Sequence, residues 1–428
     1  MKRATDISDI PGRFGPEEAL AAAKEGGFEW SEQRAAEFGD VCRTTIFGQD
    51  AVLLTGEAGI KAFYDTERVV RGGVMQQWAV ALLGDGVVDV VPNLDGETHA
   101  NRKHALLRAM TPEALRVYLP VINTVVSRHA EQWERTREVD WIQELQRMAF
   151  FALSQVITGT DGSDDLFAHY TQVSQTLFGG GNRDAGVRAR DGMLSWYRSA
   201  LAEKRRRGLD ELPTDVMGIL ARNGDLTDEQ IVAETQHLFV GSGGVWRVCC
   251  NLLAFMENRP ALLERARTEI GKFDTPPSFQ DLAESTYLQS LVEEAARLTP
   301  AVNVQTGRTI KPFEIHGYTV PTGTLVLGGF HATNHSPRIY AEAGDFNPAR
   351  PGCPYSKSSP FTYVPFGGGD ARTGHRCMGE QLVYLTIKAI LSRLTRDYTW
   401  TAIRPEELRA VAYPNFAKVF SVRFERMT

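Results

Sequence analysis

The chain has 428 residues, of which 43% are hydrophobic and 23% charged, the composition of a globular protein. Its formal net charge of −6 offers no basic footprint for nucleic acid and no attraction to an anionic membrane. We expect no targeting peptide and no apolar stretch of the ~18–20 residues that a membrane span requires. The five cysteines are sparse and odd in number, which predicts a reducing, cytoplasmic location without disulfides.

Helical periodicity dominates the middle of the chain, and alternating segments lie on either side of it. A short helix is predicted at residues 17–26 and a strand region at Val41–Leu54. The longer predicted helices are Leu119–Arg137, Trp141–Thr158, Arg183–Arg207 and Thr227–Asn258, and alternation follows in Val302–Thr309 and Phe313–Leu327. A last helix runs from near Cys377 to about Thr395. The sequence therefore predicts one mainly α domain with a small β region over residues 1–428.

The helix predicted at Thr227–Asn258 carries an unusual glycine run. Thr227 and Gln230 form a capping-box pattern at its start, and Gly241-Ser-Gly-Gly244 lies in its middle. Each glycine within a helix costs ~1 kcal/mol relative to alanine, so the run requires an explanation. Close approach of the backbone to a flat cofactor and a substrate is one explanation, and a tight crossing of two helices is the other.

Glu294 and Arg297 are three residues apart in an otherwise apolar helix pattern, and a further arginine, Arg350, follows before the next glycine-rich segment. A surface ion pair is the ordinary interpretation. A glutamate held by two arginines would instead be a buried structural scaffold.

The most informative segment is Pro365-Phe-Gly-Gly-Gly-Asp-Ala-Arg-Thr-Gly-His-Arg-Cys-Met-Gly-Glu380, which leads directly into an apolar helix pattern. Cys377 therefore lies at or just before a helix N-terminus, where free N–H groups favour a thiolate. A thiolate is a strong axial ligand for heme iron. A buried, inert cysteine is the alternative, and a zinc site using His375 and Cys377 lacks a second ligand pair.

Taken in order, these motifs resemble those of the cytochrome P450 superfamily over nearly the full length of the chain. His99-x-x-x-Lys103, Glu294-x-x-Arg297 with Arg350, Arg308 and Val320-Pro-Thr-Gly-Thr324 resemble family elements that precede the cysteine loop. The resemblance implies a P450-like fold and a heme b whose iron is bound by Cys377. It also implies that the cofactor is contacted by His99, Lys103, Arg308, Phe366, Gly369 and His375.

The cysteine loop is longer than the usual form, because residues 370–374 separate the glycines from His375. This longer loop is similar to that of the bacterial fatty-acid peroxygenase branch, as are Phe63-Tyr-Asp-Thr-Glu67 and Asp95-Gly-Glu-Thr-His99. The resemblance therefore favours hydrogen peroxide as the oxidant over a soluble ferredoxin or reductase.

The distal helix departs from both family patterns. Gly244 and Val245 stand at the expected acid–alcohol positions, and Val240 and Gly241 stand where the peroxygenases carry Arg-Pro. We therefore expect the distal site to use Gly243 and Gly244 for close approach, and His237 or Arg247 to supply a proton or bind an acid. An arginine installed at Val240 is expected to increase oxidation of fatty acids.

The leading functional hypothesis is an oxidoreductase that oxidises a small hydrophobic substrate, fatty-acid-like or another apolar acid, with peroxide. A hydroperoxide lyase or isomerase and a reductase-dependent monooxygenase are alternatives. A heme sensor or carrier is a third, non-catalytic class, which turnover assays separate from the others.

Overall fold

The computed structural model describes residues 7–23, 28–179, 181–208, 214–257, 259–355, 358–405 and 420–427. Helices dominate these ranges. In chain order they are α1 to α17: Pro16–Ala23, Phe28–Phe38, Gly56–Phe63, Gln77–Leu83, Gly96–Leu107, Pro112–Thr136, Trp141–Thr158, Asp164–Gly179, Arg183–Arg207, Val216–Asn223, Asp228–Gly241, Gly243–Glu257, Pro260–Ile270, Phe279–Glu284, Thr286–Leu298, Phe330–Asn334 and Glu380–Asp397.

The strands form three small sheets. They are β1 to β10: Val41–Ile46, Gln49–Leu54, Val69–Val70, Glu138–Asp140, Val304–Thr309, Phe313–Ile315, Tyr318–Val320, Leu325–Gly329, Tyr398–Ala402 and Ser421–Arg426. The largest sheet has the order β1-β2-β8-β5-β3, with β2 and β8 parallel and the other pairs antiparallel. The remaining strands form β4-β10-β9 and the hairpin β6-β7. The predicted mainly α fold with a small β region is confirmed.

Helix α6 begins at Pro112 rather than at Leu119, where the sequence placed it. The side chain of Thr111 accepts a hydrogen bond from the N–H of Ala114. Pro112 is tolerated in the first turn because the N–H that it lacks would have no partner within the helix. Pro120 lies inside the helix. The helix therefore extends across a residue that usually ends one.

The helix predicted at Thr227–Asn258 is two helices, and Asn258 itself lies outside the described residues. The capping box at its start is present, with Thr227 and Gln230 bonded reciprocally at 3.2 and 3.0 Å. Helix α11 ends at Gly241 and α12 begins at Gly243. At the break, the Ser242 hydroxyl donates to the carbonyl of Phe239 at 2.6 Å. Side-chain bonds of this kind compete with the regular helical pattern.

The stretch 228–257 is long and apolar enough to cross a membrane by length and composition, so the expectation that no such stretch exists was wrong. Its most apolar 18-residue window is 67% buried inside the protein. Cys249 and Cys250, in its second half, are fully buried, and all five cysteines are free thiols. The two helices of this stretch, α11 and α12, are therefore core helices of the protein.

The main core lies between the long helices. Trp133 of α6 and Trp141 of α7 are almost completely buried, as are Tyr197 of α9 and Phe239 of α11. Removing an aromatic side chain of this size costs roughly 3–5 kcal/mol. Helix α17 packs against α6, α12 and α15, and this packing fixes the position of the loop before it.

Candidate functional site

The loop that carries Cys377 is held tightly against helix α3. Gly367 adopts a φ of +87°, and a Cβ there would lie 2.3 Å from the hydroxyl oxygen of Tyr64, so only glycine fits. The carbonyl of Phe366 accepts the N–H of Cys377 at 2.9 Å, and Gly369 donates to the carbonyl of Pro360. The inserted residues 370–374 form a turn that the Asp370 carboxylate closes by accepting two backbone N–H groups. The loop is therefore a rigid support for the sulfur.

Cys377 itself lies three residues before α17 and is exposed to solvent by its surface area. Desolvation by the surrounding protein nevertheless raises the pKa of its thiol, although the N–H of Gly379 acts in the opposite direction. The side chain is therefore accessible although protein atoms surround it. The polypeptide alone does not favour the thiolate, whereas a bound metal ion deprotonates a coordinating thiol.

Three of the predicted cofactor contacts lie beside this loop. The ring centroids of His99 and His375 lie 4.0 Å apart, with the rings tilted by 30°. Lys103 donates to the carbonyls of Gly374 and Arg376, the latter at 2.7 Å. Burial is the main reason that the pKa of His99 falls to about 4 and that of His375 to about 2. Both imidazoles are therefore neutral at pH 7. The structure thus brings together donors from α5 and the cysteine loop.

The zinc alternative gains no support. Within the described ranges, the one group of three potential ligands is Glu32, His331 and His335, which does not include Cys377.

Arg308, which the sequence predicts at the cofactor, has its hydrogen-bond partners on the face of the sheet away from Arg71. Its guanidinium donates to the carbonyl of Gly323 at 2.9 Å and reaches Gln49 at 3.4 Å. Successive residues of a strand point to opposite faces, so the preceding residue, Gly307, faces the site. The space beside Gly307 is filled by Arg71, a residue that the sequence motifs did not identify.

Arg71 is a buried cation with unused donors. Its Nη2 donates to the carbonyl of Phe63 at 3.0 Å and its guanidinium carbon lies 3.7 Å from the Phe63 ring centroid. Its Nε and Nη1 are buried without a hydrogen-bond partner. Leaving such groups unpaired costs roughly 1–3 kcal/mol each. Burial lowers the pKa of Arg71 to about 10, so the side chain remains charged at neutral pH. The arrangement fits a bound anion such as a heme propionate.

The three scaffold residues are in contact and buried. Arg297 binds both carboxylate oxygens of Glu294, at 2.8 and 2.9 Å, and Arg350 approaches the same carboxylate at 3.3 Å. Burial alone would raise the pKa of Glu294, but the two hydrogen bonds and the charge of Arg297 lower it. The hydroxyl of Tyr355, which was not predicted, also donates to this carboxylate, at 2.5 Å.

The glycines between α11 and α12 have different surroundings. A Cβ on Gly241 would meet nothing within 4 Å, whereas one on Gly244 would lie 3.1 Å from the Cβ of Ala301. Gly244 therefore serves close packing, and Gly241 faces open space. Val240 is 2% exposed and belongs to the main core, which makes it a poor place for an added arginine.

His237 takes part in a buried polar network. Its Nδ1 lies 3.0 Å from Glu234, whose carboxylate also accepts from Arg102 of α5 and from the N–H of Val91, both at 2.9 Å. The histidine is thus tied to an internal carboxylate. This contact favours a structural role for His237 over the predicted role in proton supply.

Arg247 has aromatic neighbours and no acidic one. Its guanidinium carbon lies 4.7 Å from the Phe178 ring and 5.1 Å from the Trp246 ring. A Cβ on Gly243 would lie 3.1 Å from its Nη1. Over the described ranges, no carboxylate lies within 4.0 Å of this cation. Burial lowers its pKa, against the opposing influence of Tyr170.

The chain is similar in sequence and in fold to several known proteins. A family model described as Cytochrome P450 matches residues 188–415, more than half of the chain. The "Putative cytochrome P450 120" of Synechocystis sp. is 25% identical, with 95% of this chain and 94% of that protein covered. Two solved structures share the fold. A retinoic acid-bound cyanobacterial CYP120A1 has a TM-score of 0.85 at 24% identity, covering 98% and 99% of the two chains. A variant of cytochrome P450 OleT in complex with arachidonic acid has a TM-score of 0.83 at 19% identity, with the same coverage.

Proposed function

Because this chain belongs to the cytochrome P450 family, whose members use thiolate-ligated heme iron, we propose that Cys377 is the axial ligand. Its exposed sulfur and its position before the N-terminus of α17 support this assignment. In Cys377→Ala the red-shifted Soret band of the ferrous–carbonyl protein should be lost, while Cys353→Ala should retain it. An unchanged band in Cys377→Ala contradicts the proposal.

We propose that Arg71, His99, Lys103 and His375 hold the heme propionates. The two unpaired guanidinium nitrogens of Arg71 and the adjacent imidazoles of His99 and His375 support this set. Bound there, the heme supplies the oxidising centre that a P450 reaction requires. Arg308 is excluded from the set because its side chain is bonded on the other face of β5.

We infer that this oxidoreductase acts on a hydrophobic carboxylic acid, and that Arg247 binds the carboxylate. The observation that carries this inference is a cation beside the distal glycines, with aromatic neighbours and no acidic partner. A guanidinium pairs with a carboxylate through two parallel hydrogen bonds. The ligands in the two similar structures, retinoic acid and arachidonic acid, are both carboxylic acids.

We propose hydrogen peroxide as the oxidant. Gly243, Gly244 and Val245 carry no group able to deliver a proton. A carboxylate held on Arg247 provides an acid–base group that the polypeptide lacks there. Binding and orienting the acid then also places a proton carrier beside the reacting atoms. A cytoplasmic location and the lack of a nucleic-acid or membrane partner stay predictions.

The test is turnover of a long-chain fatty acid and of its methyl ester with peroxide alone, compared with a ferredoxin system and oxygen. Arg247→Leu should lose turnover of the acid and Arg247→Lys should retain part of it. Arg116→Leu, on an exposed arginine of α6, is the matched control. If turnover occurs only with the ferredoxin system and oxygen, the peroxide hypothesis is wrong and the protein is a reductase-dependent monooxygenase. Equal turnover of acid and ester contradicts the role of Arg247.

A further inference from the structure

Four buried tyrosines form a continuous row beside the Cys377 loop. Tyr384 of α17 stands perpendicular to Phe366 of the loop, with ring centroids 5.3 Å apart. Its hydroxyl oxygen lies 2.9 Å from that of Tyr363. Tyr363 stacks on Tyr355 at 4.7 Å, and Tyr355 meets Tyr340 edge-on at 5.6 Å. Each is at most 5% exposed.

Every phenol in the row has a hydrogen-bond acceptor. Tyr384 donates to the carboxylate of Glu380 at 3.1 Å, and Tyr355 donates to that of Glu294 at 2.5 Å. Tyr363 lies 3.2 Å from the carbonyl oxygen of Glu293 and shares the hydrogen bond with Tyr384. A tyrosine that loses an electron also loses its proton. The carboxylates beside Tyr384 and Tyr355 can take up that proton, whereas the peptide carbonyl beside Tyr363 accepts only a hydrogen bond.

The row also borders solvent. A cavity of about 310 Å³ is lined by Tyr384, Tyr363 and Tyr355, together with Arg376 and Asp370 of the cysteine loop. Its volume admits a small organic molecule. Packing alone would be satisfied by phenylalanine at Tyr384 and Tyr363, since Glu380 is already paired with Arg376 through two hydrogen bonds.

We propose that Tyr384 and Tyr363 form a relay that carries oxidising equivalents from the heme to a small thiol in this cavity when no substrate is bound. The relay rests on heme binding through Cys377, which belongs to the proposed function. Its role is protective: it discharges an oxidised heme before the heme damages itself.

Tyr384 gives one electron to the oxidised heme and its phenolic proton to Glu380. Tyr363 passes a hydrogen atom to Tyr384 across their shared hydrogen bond, and a thiol in the cavity restores Tyr363 with a hydrogen atom. Two passages consume two thiols, which couple to one disulfide, and the two electrons and two protons reduce one peroxide to two waters.

The experiment treats substrate-free holoprotein with peroxyacetic acid, an oxidant that does not depend on hydrogen peroxide being the natural one. Freeze-quenched samples are examined for a tyrosyl radical by electron paramagnetic resonance, and heme bleaching is followed by absorbance. Tyr384→Phe and Tyr363→Phe are compared with Tyr118→Phe, a buried tyrosine of α6 whose hydroxyl donates to Ala109. Heme content and the ferrous–carbonyl spectrum are measured first, which tests the Cys377 assignment separately.

Wild type and Tyr118→Phe should show the radical, and dithiothreitol should remove it and slow bleaching. Tyr384→Phe should lose the radical and bleach faster, with no protection by the thiol. Tyr363→Phe should keep a radical but lose the protection of the heme by dithiothreitol. If Tyr384→Phe does not retain heme, Tyr363→Phe alone decides the test. A full signal with thiol protection in both variants overturns the relay, as does the absence of any tyrosyl radical in wild type.

Discussion

Gly307 and Arg71 share one space at the edge of the five-stranded sheet: a Cβ at position 307 would lie 2.4 Å from Nη1 of the arginine. The glycine therefore admits a cation contributed by a segment more than 200 residues earlier in the chain. This relationship leads directly to two tests of how the heme is held.

Arg71→Met should weaken heme binding, because it removes a positive charge and two buried nitrogen donors, Nε and Nη1, that have no partner within the protein. The measurement is the rate of heme transfer to apomyoglobin, with Arg308→Met as the matched control on the other face of β5. We expect faster transfer from Arg71→Met and an unchanged rate from Arg308→Met. The reverse order would restore Arg308 as the propionate ligand.

Gly307→Ala should also release heme faster, although it adds only a methyl group, because the guanidinium must move to make room. Gly344→Ala is the control, since a Cβ there meets nothing within 4 Å. Equal heme retention in the two alanine variants would mean that the position of Arg71 does not matter to the cofactor.

Glu294→Ala should yield little folded holoprotein. Removing the carboxylate leaves Arg297 and Arg350 buried without their counter-charge, at a cost of roughly 3–5 kcal/mol. Chemical denaturation of Glu294→Ala and of Glu264→Ala, an exposed glutamate of α13, measures the difference. A stable Glu294→Ala protein with full heme content but no turnover would assign the residue to catalysis instead.

Acid should destabilise the fold through His331 and His335. Burial lowers the pKa of each to about 3, although the half-exposed Glu32 contacts His331. The unfolded chain takes up protons near pH 6.5 and the folded chain does not. Stability is therefore complete above pH 6.5 and falls as the pH drops, by about 2 kcal/mol per histidine at pH 5.

Thermal melting between pH 7 and pH 5 should show less pH dependence in His331→Gln, and an unchanged one in His316→Gln. If the dependence in His331→Gln equals that of wild type, other groups cause the acid sensitivity.

Val240→Arg should lower the yield of folded protein rather than improve fatty-acid oxidation. Its side chain lies in the main core, and an unpaired charge there is costly. Gly241→Ser, facing open space, should fold normally. The measurement is the yield of soluble holoprotein of each variant. A well-folded Val240→Arg protein that oxidises fatty acids faster would confirm the expectation drawn from the sequence instead.

The elements that the sequence predicted correctly are those with local signals. The capping box at Thr227 and the turn that ends at Cys377 depend on residues within a few positions of each other. The face of Arg308 could not be predicted in this way, because a shift of one residue in a strand reverses the side on which every side chain lies. Arg71 and Tyr355 were missed for a related reason: their partners are distant in sequence, and neither residue belongs to a recognisable motif.

The strands of the five-stranded sheet come from two distant parts of the sequence, which affects how the chain folds during synthesis. Strands β1, β2 and β3 come from residues 41–70, whereas β5 and β8 come from residues 304–329. During synthesis β1 and β2 can pair with each other at once, but β3 waits about 230 residues for β5, and β2 waits about 270 residues for β8. Long-range pairing of this kind is slow. Arg71, His99 and Lys103 are likewise made long before His375 and Cys377. A ribosome-bound chain thus has no complete heme site until Cys377 has emerged, so cofactor capture follows synthesis of every segment from Arg71 to the cysteine loop.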